Sequence, residues 1–430
     1  MPEPPKPPAS APVQPAPSAP IAKPAPSPTA LKPAATPPAN PAQPPEANSI
    51  ADAIRNAKLL ADVRYRFEYV DQDGFADAAE AHTVRARLGF QTAKLWGWQI
   101  LAEGEAVAHM NENFNDTING KVGYPTVADP EDIQINRLQV DYSGIPGNVI
   151  TAGRQRINLD NQRFIGGVAF RQNEQTFDAA RIVNTYIANL TATYIYLNRV
   201  NRVFGEDSNQ GSFTGDTHLA NVAYDIRNWG RLSAYGYFLD LSSSPALSTE
   251  TFGVRFAGRH ALGNGLAALY AGEYARQKPY ADNPGAFELD YWQGEAGLAV
   301  HDFKLLAGQE LLEGDGTRGF STPLATLHKF QGFADVFLTT PANGIKDRYG
   351  TLGYETKLEH ASPVTGVMAA ITYHDFEAER GGASFGKEVD AELVVRIGKH
   401  WSVGAKYADY QGDGAFADRS KFWIPIEFTY

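Results

Sequence analysis

The sequence predicts an all-β fold: a transmembrane antiparallel β-barrel of about 18 strands, with a disordered Pro/Ala-rich segment at its N-terminus. Three observations predict it. Apolar and polar residues alternate with period two in run after run. No run of about 18 apolar residues occurs, so no transmembrane helix is readable. Arginines recur two residues apart on one face of these runs, where only a wet lumen or ionic partners would suit them.

Composition narrows the alternatives. The 430 residues include no Cys, which excludes a disulfide framework, a Cys-based zinc site, an iron–sulfur centre and a Cys nucleophile. The formal net charge of -11 argues against nucleic acid, whose phosphates need a basic face. A soluble β protein that binds glycans or a partner remains as the competing class.

The chain divides into residues 1–50 and residues 51–430. Residues 1–50 hold 18 of the 28 prolines and almost nothing large and apolar, so they cannot offset their ordering entropy by burial. Extended at about 3.1 Å per residue, such a segment would reach roughly 140 Å, a periplasmic tether. Lys6, Lys23 and Lys32 against Glu3 and Glu46 leave this segment at +1, so the rest carries -12. No signal peptide is readable, because Met1 is followed by Pro and Glu without a basic start or an apolar stretch. The barrel pattern overrides the cytoplasmic reading this would suggest, and the expected location is a bacterial outer membrane.

Residues 51–60 read as one or two turns of helix before the first strand. Residues 60–70 then set Val63, Tyr65, Phe67 and Tyr69 on one face and Arg64, Arg66 and Glu68 on the other. Next, Val84, Ala86, Leu88 and Phe90 oppose Arg85 and Arg87, and Leu138, Val140 and Tyr142 oppose Arg137, Gln139 and Asp141. Phe252, Val254 and Phe256 oppose Arg255 and Arg259 in the same way, and Val389 to Ile397 oppose Asp390, Glu392 and Arg396. Further strands are expected near 96–109, 148–157, 177–187, 190–200, 217–227, 231–240, 264–275, 289–300, 302–311, 333–339, 348–359, 366–376, 400–409 and 421–430. About nineteen runs qualify, give or take two, separated by Gly, Asn, Asp and Pro clusters.

Spacing separates barrel from sandwich. Roughly 21 residues per strand and connection is too long for sandwich strands with turns every 8–12 residues, and suits barrel strands with alternating short turns and long loops. The long connections 111–130, 158–174, 201–216, 277–288 and 312–332 are expected to be exposed loops. At the C-terminus, Phe422, Ile424, Ile426, Phe428 and Tyr430 share a face and end on an aromatic, the pattern of an insertion signal read by the barrel assembly machinery. Pro425 should sit on the polar face at an unpaired position.

The segment 153–181 carries Gly153-Arg154-Gln155, then Asp160, Arg163-Phe164-Ile165-Gly166, Thr176-Phe177-Asp178 and Arg181, preceded by the strand Ile135 to Tyr142. In this block the chain resembles the alginate export family of outer-membrane channels. The resemblance implies an 18-stranded monomeric barrel with an Arg-lined lumen, and, in the best-known member, outward passage of a polyuronate. The planar guanidinium forks of Arg can bind uronate carboxylates bidentately, and several weak sites conduct better than one strong one. The expected pore-lining residues are Arg137, Arg154, Arg156 and Arg163, with Asp160 and Asp178 as their partners, and Arg64, Arg66, Arg85, Arg87 and Arg181 as further wall residues. The alternation leaves one phase open: if Arg154 and Arg156 face in, Ile150 and Ala152 share their face and Gln155 faces out.

The functional expectation is a passive channel for an anionic saccharide or small anionic solutes, with a general or nutrient-uptake porin as the alternative. Glu68, Glu103, Glu105, Asp141, Asp390 and Glu392 could also face the lumen, which would make it a mixed-charge pore. Loop acids are expected at a solvated or lipopolysaccharide-facing rim. Outer-membrane lipid surrounds such a barrel, and the Pro-rich segment would reach a periplasmic or cell-wall contact. No cofactor or metal set is readable, and no catalytic residue is assigned: His374-Asp375 lacks a Gly-x-Ser-x-Gly companion, and the nine His lack ligand spacing. Trp96 and Trp98 share a face and are expected at a membrane interface.

Overall fold

The computed structural model describes residues 46–358 and 363–430. The expected tether over 1–50 therefore lies, up to residue 45, outside the described residues. A short helix, α1 (Ile50–Arg55), precedes the first strand; Ser49 caps it by accepting a hydrogen bond from the Asp52 N–H. Ala47 and Ala53 pack against Ala93 in the first short turn.

Eighteen strands follow: β1 (Lys58–Gln72), β2 (Ala79–Gln91), β3 (Trp98–His109), β4 (Asp132–Tyr142), β5 (Asn148–Gln155), β6 (Thr176–Asn184), β7 (Leu190–Asn201), β8 (Ser212–Ile226) and β9 (Gly230–Leu239) form one half. The other half is β10 (Thr249–Gly263), β11 (Leu266–Pro279), β12 (Leu289–Val300), β13 (Phe303–Leu312), β14 (Ile345–Lys357), β15 (Val364–Glu377), β16 (Ser384–Ile397), β17 (Trp401–Gly412) and β18 (Arg419–Thr429). Each strand pairs antiparallel with its sequence neighbours, and β1 pairs with β18 to close the ring. Closure leaves no open sheet edge, the condition for a sheet to cross a membrane.

The faces follow from the alternation. In β1, Arg64, Arg66 and Glu68 are buried while Val63 is exposed, and in β2, Arg85 and Arg87 are buried while Leu88 and Phe90 are exposed. The exposed row continues around the ring with Leu138, Val254, Leu298, Leu305, Leu352, Ile371 and Leu393. Such a row is stable against lipid rather than water. Trp98 packs against Tyr142 with ring centroids 4.5 Å apart and planes tilted by 38°, at the short-turn end where an aromatic girdle belongs.

On β18, Lys421 and Trp423 are buried inside, which puts Phe422, Ile424, Ile426 and Phe428 on the outer face. Pro425 is on the inner face. It pairs with Arg66 of β1, but the β17–β18 ladder is interrupted between Val403/Ile426 and Lys406/Trp423, where Pro has no N–H to offer.

Two expectations about connections fail. Residues 333–339 are not a strand, and the connections 156–175 and 313–344 are not exposed loops. Both fold into the lumen. Ile157, Phe164 and Ile165 from the first, and Phe320, Leu324 and Phe337 from the second, join wall residues Phe177, Tyr235, Tyr291 and Leu312 in one buried core. The apolar residues that read as a strand at 333–339 serve this inner core. The loops also bind each other: the Gly166 N–H donates to the Leu324 carbonyl at 2.9 Å, and the Thr326 N–H to the Gln162 carbonyl at 3.0 Å. A Cβ on Gly166 would collide with Thr326 and Gln162, so glycine permits this approach.

Candidate functional site: the charged constriction

The constriction is built where the two inward loops meet the walls. Its first part is an arginine rack on β1 and β2. Arg64 donates to the carbonyls of Ala169 (3.0 Å) and Arg171 and to the Gln172 side chain (3.0 Å). Arg66 donates to the Phe170 carbonyl and Arg87 to the Gln172 carbonyl (3.2 Å). Three wall arginines thus hold the consecutive carbonyls of residues 169–172. A loop lacking regular ladder partners has its backbone acceptors satisfied by guanidinium donors instead.

The second part is a junction of three loops. Arg171 meets Glu68 (3.2 Å), Asp335 (3.1 Å) and Asp129 (3.8 Å), drawing together β1 and the connections 110–131 and 313–344. Arg66 also pairs with Asp129, and Lys421 of β18 pairs with Asp335 at 2.9 Å. Burial alone would raise the Asp335 carboxyl, but the hydrogen bond from the His328 ring and the Lys421 and Arg171 cations outweigh it and hold the group well below the usual range. His328 lies flat on Phe170, centroids 3.5 Å apart, between Asp335 at its Nδ1 (2.8 Å) and the Lys406 ammonium at its Nε2 (3.0 Å). Burial pushes its pKa down to about 3, so the ring is neutral and accepts from Lys406.

The third part is a ladder of paired charges on the walls. Arg85 pairs with Asp62 and Glu427, and Arg87 with Glu105. A bulge in β4 seats both Asn136 and Arg137 against Glu103: Arg137 grips it bidentately at 2.8 and 2.7 Å, and Asn136 at 2.8 Å. Arg156, just beyond β5, grips Glu174 within the same loop. Burial works against the Glu174 charge, but Arg156 and Arg87 outweigh it and lower its pKa. Arg163 reaches Glu310 of β13 at 2.7 Å, with Thr322 at 3.1 Å, and lies over the Phe330 ring at 4.8 Å.

Of the arginines read from the sequence, Arg64, Arg66, Arg85, Arg87, Arg137 and Arg163 are buried or half-buried in the lumen, and Arg156 lies within an inward loop. Arg181 faces inward beside Thr151, its register partner, at 3.5 Å. Arg154 departs from the expectation. It pairs across the ladder with Leu138, which is exposed to the outside, while Thr151 and Gln155 are the buried residues of β5. Directly opposed residues share a face, so Arg154 points outward with Ile150 and Ala152. Asp178 follows it outward and binds it at 2.8 Å, joined by Glu206 of the next loop at 3.3 Å. This outward ion pair is tolerated because it sits at the long-loop end of its strands, beside Glu206 of the β7–β8 connection. Asp160 stays inside, but its direct partners are Asn221 (2.7 Å) and Ser233 (2.6 Å), not an arginine.

Sequence reasoning did not single out Arg171, Glu174, His328, Lys329, Asp335, Glu310, Lys406 or Lys421, and it placed Asp129 among the loop acids of a solvated rim, whereas that carboxylate is buried against Arg66. The residues of β13, β17 and β18 were legible by alternation. Those in loops were not, since nothing local marks a loop that turns inward. His374 and Asp375, read as adjacent, point to opposite faces: His374 binds Asp347 inside at 3.0 Å, and Asp375 meets Arg348 outside at 3.6 Å.

No protein-family model matches the chain, and no curated protein matches it. Solved structures do. The crystal structure of Pseudomonas aeruginosa OpdO superposes with a TM-score of 0.64 at 13% identity, covering 88% of this chain and 98% of that one. Acinetobacter baumannii OccAB4 gives 0.67 at 12% identity, covering 87% and 98%. The outer membrane protein OpdK of P. aeruginosa gives 0.65 at 12%, also covering 87% and 98%. The likeness spans nearly the whole of each known chain, and the fold is therefore that of the Opd and Occ outer-membrane barrels.

Proposed function

We propose that this chain is a bacterial outer-membrane channel that passes small water-soluble solutes passively, in the manner of a nutrient-uptake porin. The observation that carries the proposal is the pair of inward loops, fastened to the wall by Arg64, Arg66, Arg87, Arg163 and Arg171 and packed on an apolar core. Loops fastened in this way narrow the lumen and set charged groups where a passing solute must meet them, which is how a channel sorts small solutes. The full length of the strands is available to cross the membrane, and the apolar outer row supports that setting. The barrel fold shared with outer-membrane proteins supports it further.

A polyuronate channel of the alginate-export kind is the second reading, motivated by the 153–181 block. Two features weigh against it. A chain of sugar rings would have to displace the buried core around Phe164, Phe320 and Leu324. The wall arginines are also mostly engaged by carboxylates or carbonyls, which leaves a mixed-charge lumen. The cations an anionic small solute would meet are Arg137 and Arg181 on the wall and Arg163 on the first inward loop. The outward row Phe422 to Tyr430 would engage the barrel assembly machinery, lipopolysaccharide would surround the long-loop rim, and the Pro-rich segment would reach into the periplasm.

Planar-bilayer recording tests the channel, and liposome swelling tests the size class. The expected result is stepwise conductance together with swelling in a monomeric uronic acid and none in a long polyuronate. Equal passage of the polymer would favour the export reading. A protein that stays soluble without detergent and never conducts would overturn both.

A further inference from the structure

Most cations on the two inward loops have a carboxylate. Arg156 has Glu174, Arg163 has Glu310, and Arg171 has Glu68 and Asp335. Among the described residues of these loops, Arg318 and Lys329 have none. Arg318 lies over Phe287 at 4.7 Å, in the β11–β12 connection. Lys329 lies deep in the barrel, half-buried, at the inner end of the second loop. Its Nζ donates to the Asn161 carbonyl at 2.8 Å and sits 5.3 Å from the Phe330 ring.

The wall that acts on Lys329 carries Arg255 of β10, Glu273 of β11, Glu295 of β12 and Glu310 of β13. Glu273 is neutralised by Arg255 at 2.8 Å and Glu310 by Arg163 at 2.7 Å. Glu295 has no cation among the described residues. It accepts from the Tyr349 hydroxyl at 3.0 Å, which in turn accepts from Gln293 at 3.1 Å. Both Lys329 and Glu295 are half-buried, unlike the buried Arg163–Glu310 pair beside them. One uncompensated cation thus shares this stretch of lumen with two anions that lack a cation among the described residues, Glu295 and Asp160, the latter next to Asn161 and held only by Asn221 and Ser233.

We infer that Lys329 sets the charge selectivity of this channel, with Glu295 as its counter-group. The inference rests on the channel reading. Paired charges present little net field to a passing ion, whereas an unpaired one in a narrow, low-dielectric passage dominates it. Burial lowers the Lys329 pKa to about 7, with Arg255 adding to the effect and the three glutamates opposing it. The ammonium is therefore present below neutrality and lost above it. With Lys329 charged, it offsets part of the Glu295 and Asp160 charge; once it is neutral, both anions stand uncompensated and the lumen favours cations.

Reversal potentials in a KCl gradient, recorded on the full chain in planar bilayers below about pH 6 and above about pH 8, test this. The wild type is expected to move toward cation preference as pH rises. Lys329→Met should show that preference at both pH values, and Lys329→Arg should hold the low-pH behaviour at both, because guanidinium does not titrate there. Glu295→Gln should move both values toward anions while keeping the swing. A conducting Lys329→Met channel with unaltered reversal potentials and pH swing overturns the inference alone. A wild type that never conducts overturns the channel reading as well. Retained barrel structure by circular dichroism separates a selectivity change from misfolding.

Discussion

Arg163 and Glu310 lie 147 residues apart in sequence and meet at 2.7 Å in the interior of the barrel, both almost fully buried. The contact ties the first inward loop to the wall strand that leads into the second. Tyr291 donates to the same carboxylate at 2.8 Å, and Gln331 binds its other oxygen. The pair thus joins both inward loops to β12 and β13 in one hydrogen-bonded cluster.

Removing one partner should be worse than removing both. Arg163→Ala leaves the Glu310 carboxylate buried without its cation, a loss of about 3–5 kcal/mol. Arg163→Met with Glu310→Met should recover much of that by apolar packing. Thermal unfolding in detergent and protease sensitivity of the 156–175 loop measure the difference. Equal stability of the single and double variants would contradict the account.

The arginine rack should govern loop motion rather than barrel assembly. Arg64→Ala removes donors from the Ala169 and Arg171 carbonyls, each charge-assisted bond being worth about 1.5–3 kcal/mol. Faster hydrogen exchange at residues 169–172 and noisier single-channel current are expected. Arg154→Ala, on the outside, should change neither. A current trace that responds to Arg154→Ala would place that side chain in the lumen after all.

Acid should loosen the second loop through His328. Its folded pKa of about 3 lies below the ordinary value of 6.5, so docking favours the neutral ring. The stabilisation is complete above about pH 6.5 and is lost as pH falls toward about 3. Current noise and protease cleavage within 313–344 should rise over that window. His328→Gln, which takes up no proton, should flatten the response.

Gly332 has φ +81°, and a Cβ there would strike the Glu388 carboxylate. Gly332→Ala should therefore destabilise the docked loop by about 1–3 kcal/mol, through overpacking and backbone strain together. Thermal unfolding monitored by near-ultraviolet dichroism reads this. An unchanged midpoint would show that the loop yields freely.

Leu352 is 54% exposed on the outer face of β14. Leu352→Arg should cost about 2–4 kcal/mol if that position meets the hydrocarbon midplane, and less nearer an interface. Folding yield into lipid vesicles measures it, with Leu352→Ala as the control. No difference between the two would argue that this face meets water.

Period-two alternation is a local property, so the sequence by itself showed each of the eighteen strands, the buried placement of Arg64, Arg66, Arg85 and Arg87, and the outward row that ends on β18, but it also marked 333–339, an apolar run that only the inner core explains. It also determined the alternation within β5 but not its sign. Ile150, Ala152 and Arg154 share one face whichever way it points, and only pairing with Leu138 through the closed ring turns that face outward. The tertiary structure alone decided that residues 156–175 and 313–344 fold inward. A loop of polar and apolar residues has no local reason to choose lumen over solvent. The choice is made by partners remote in sequence: the rack of Arg64, Arg66 and Arg87, 85 to 108 residues from the carbonyls and side chain it binds, the Arg163–Glu310 pair, 147 residues apart, and a core that neither loop could bury without the wall.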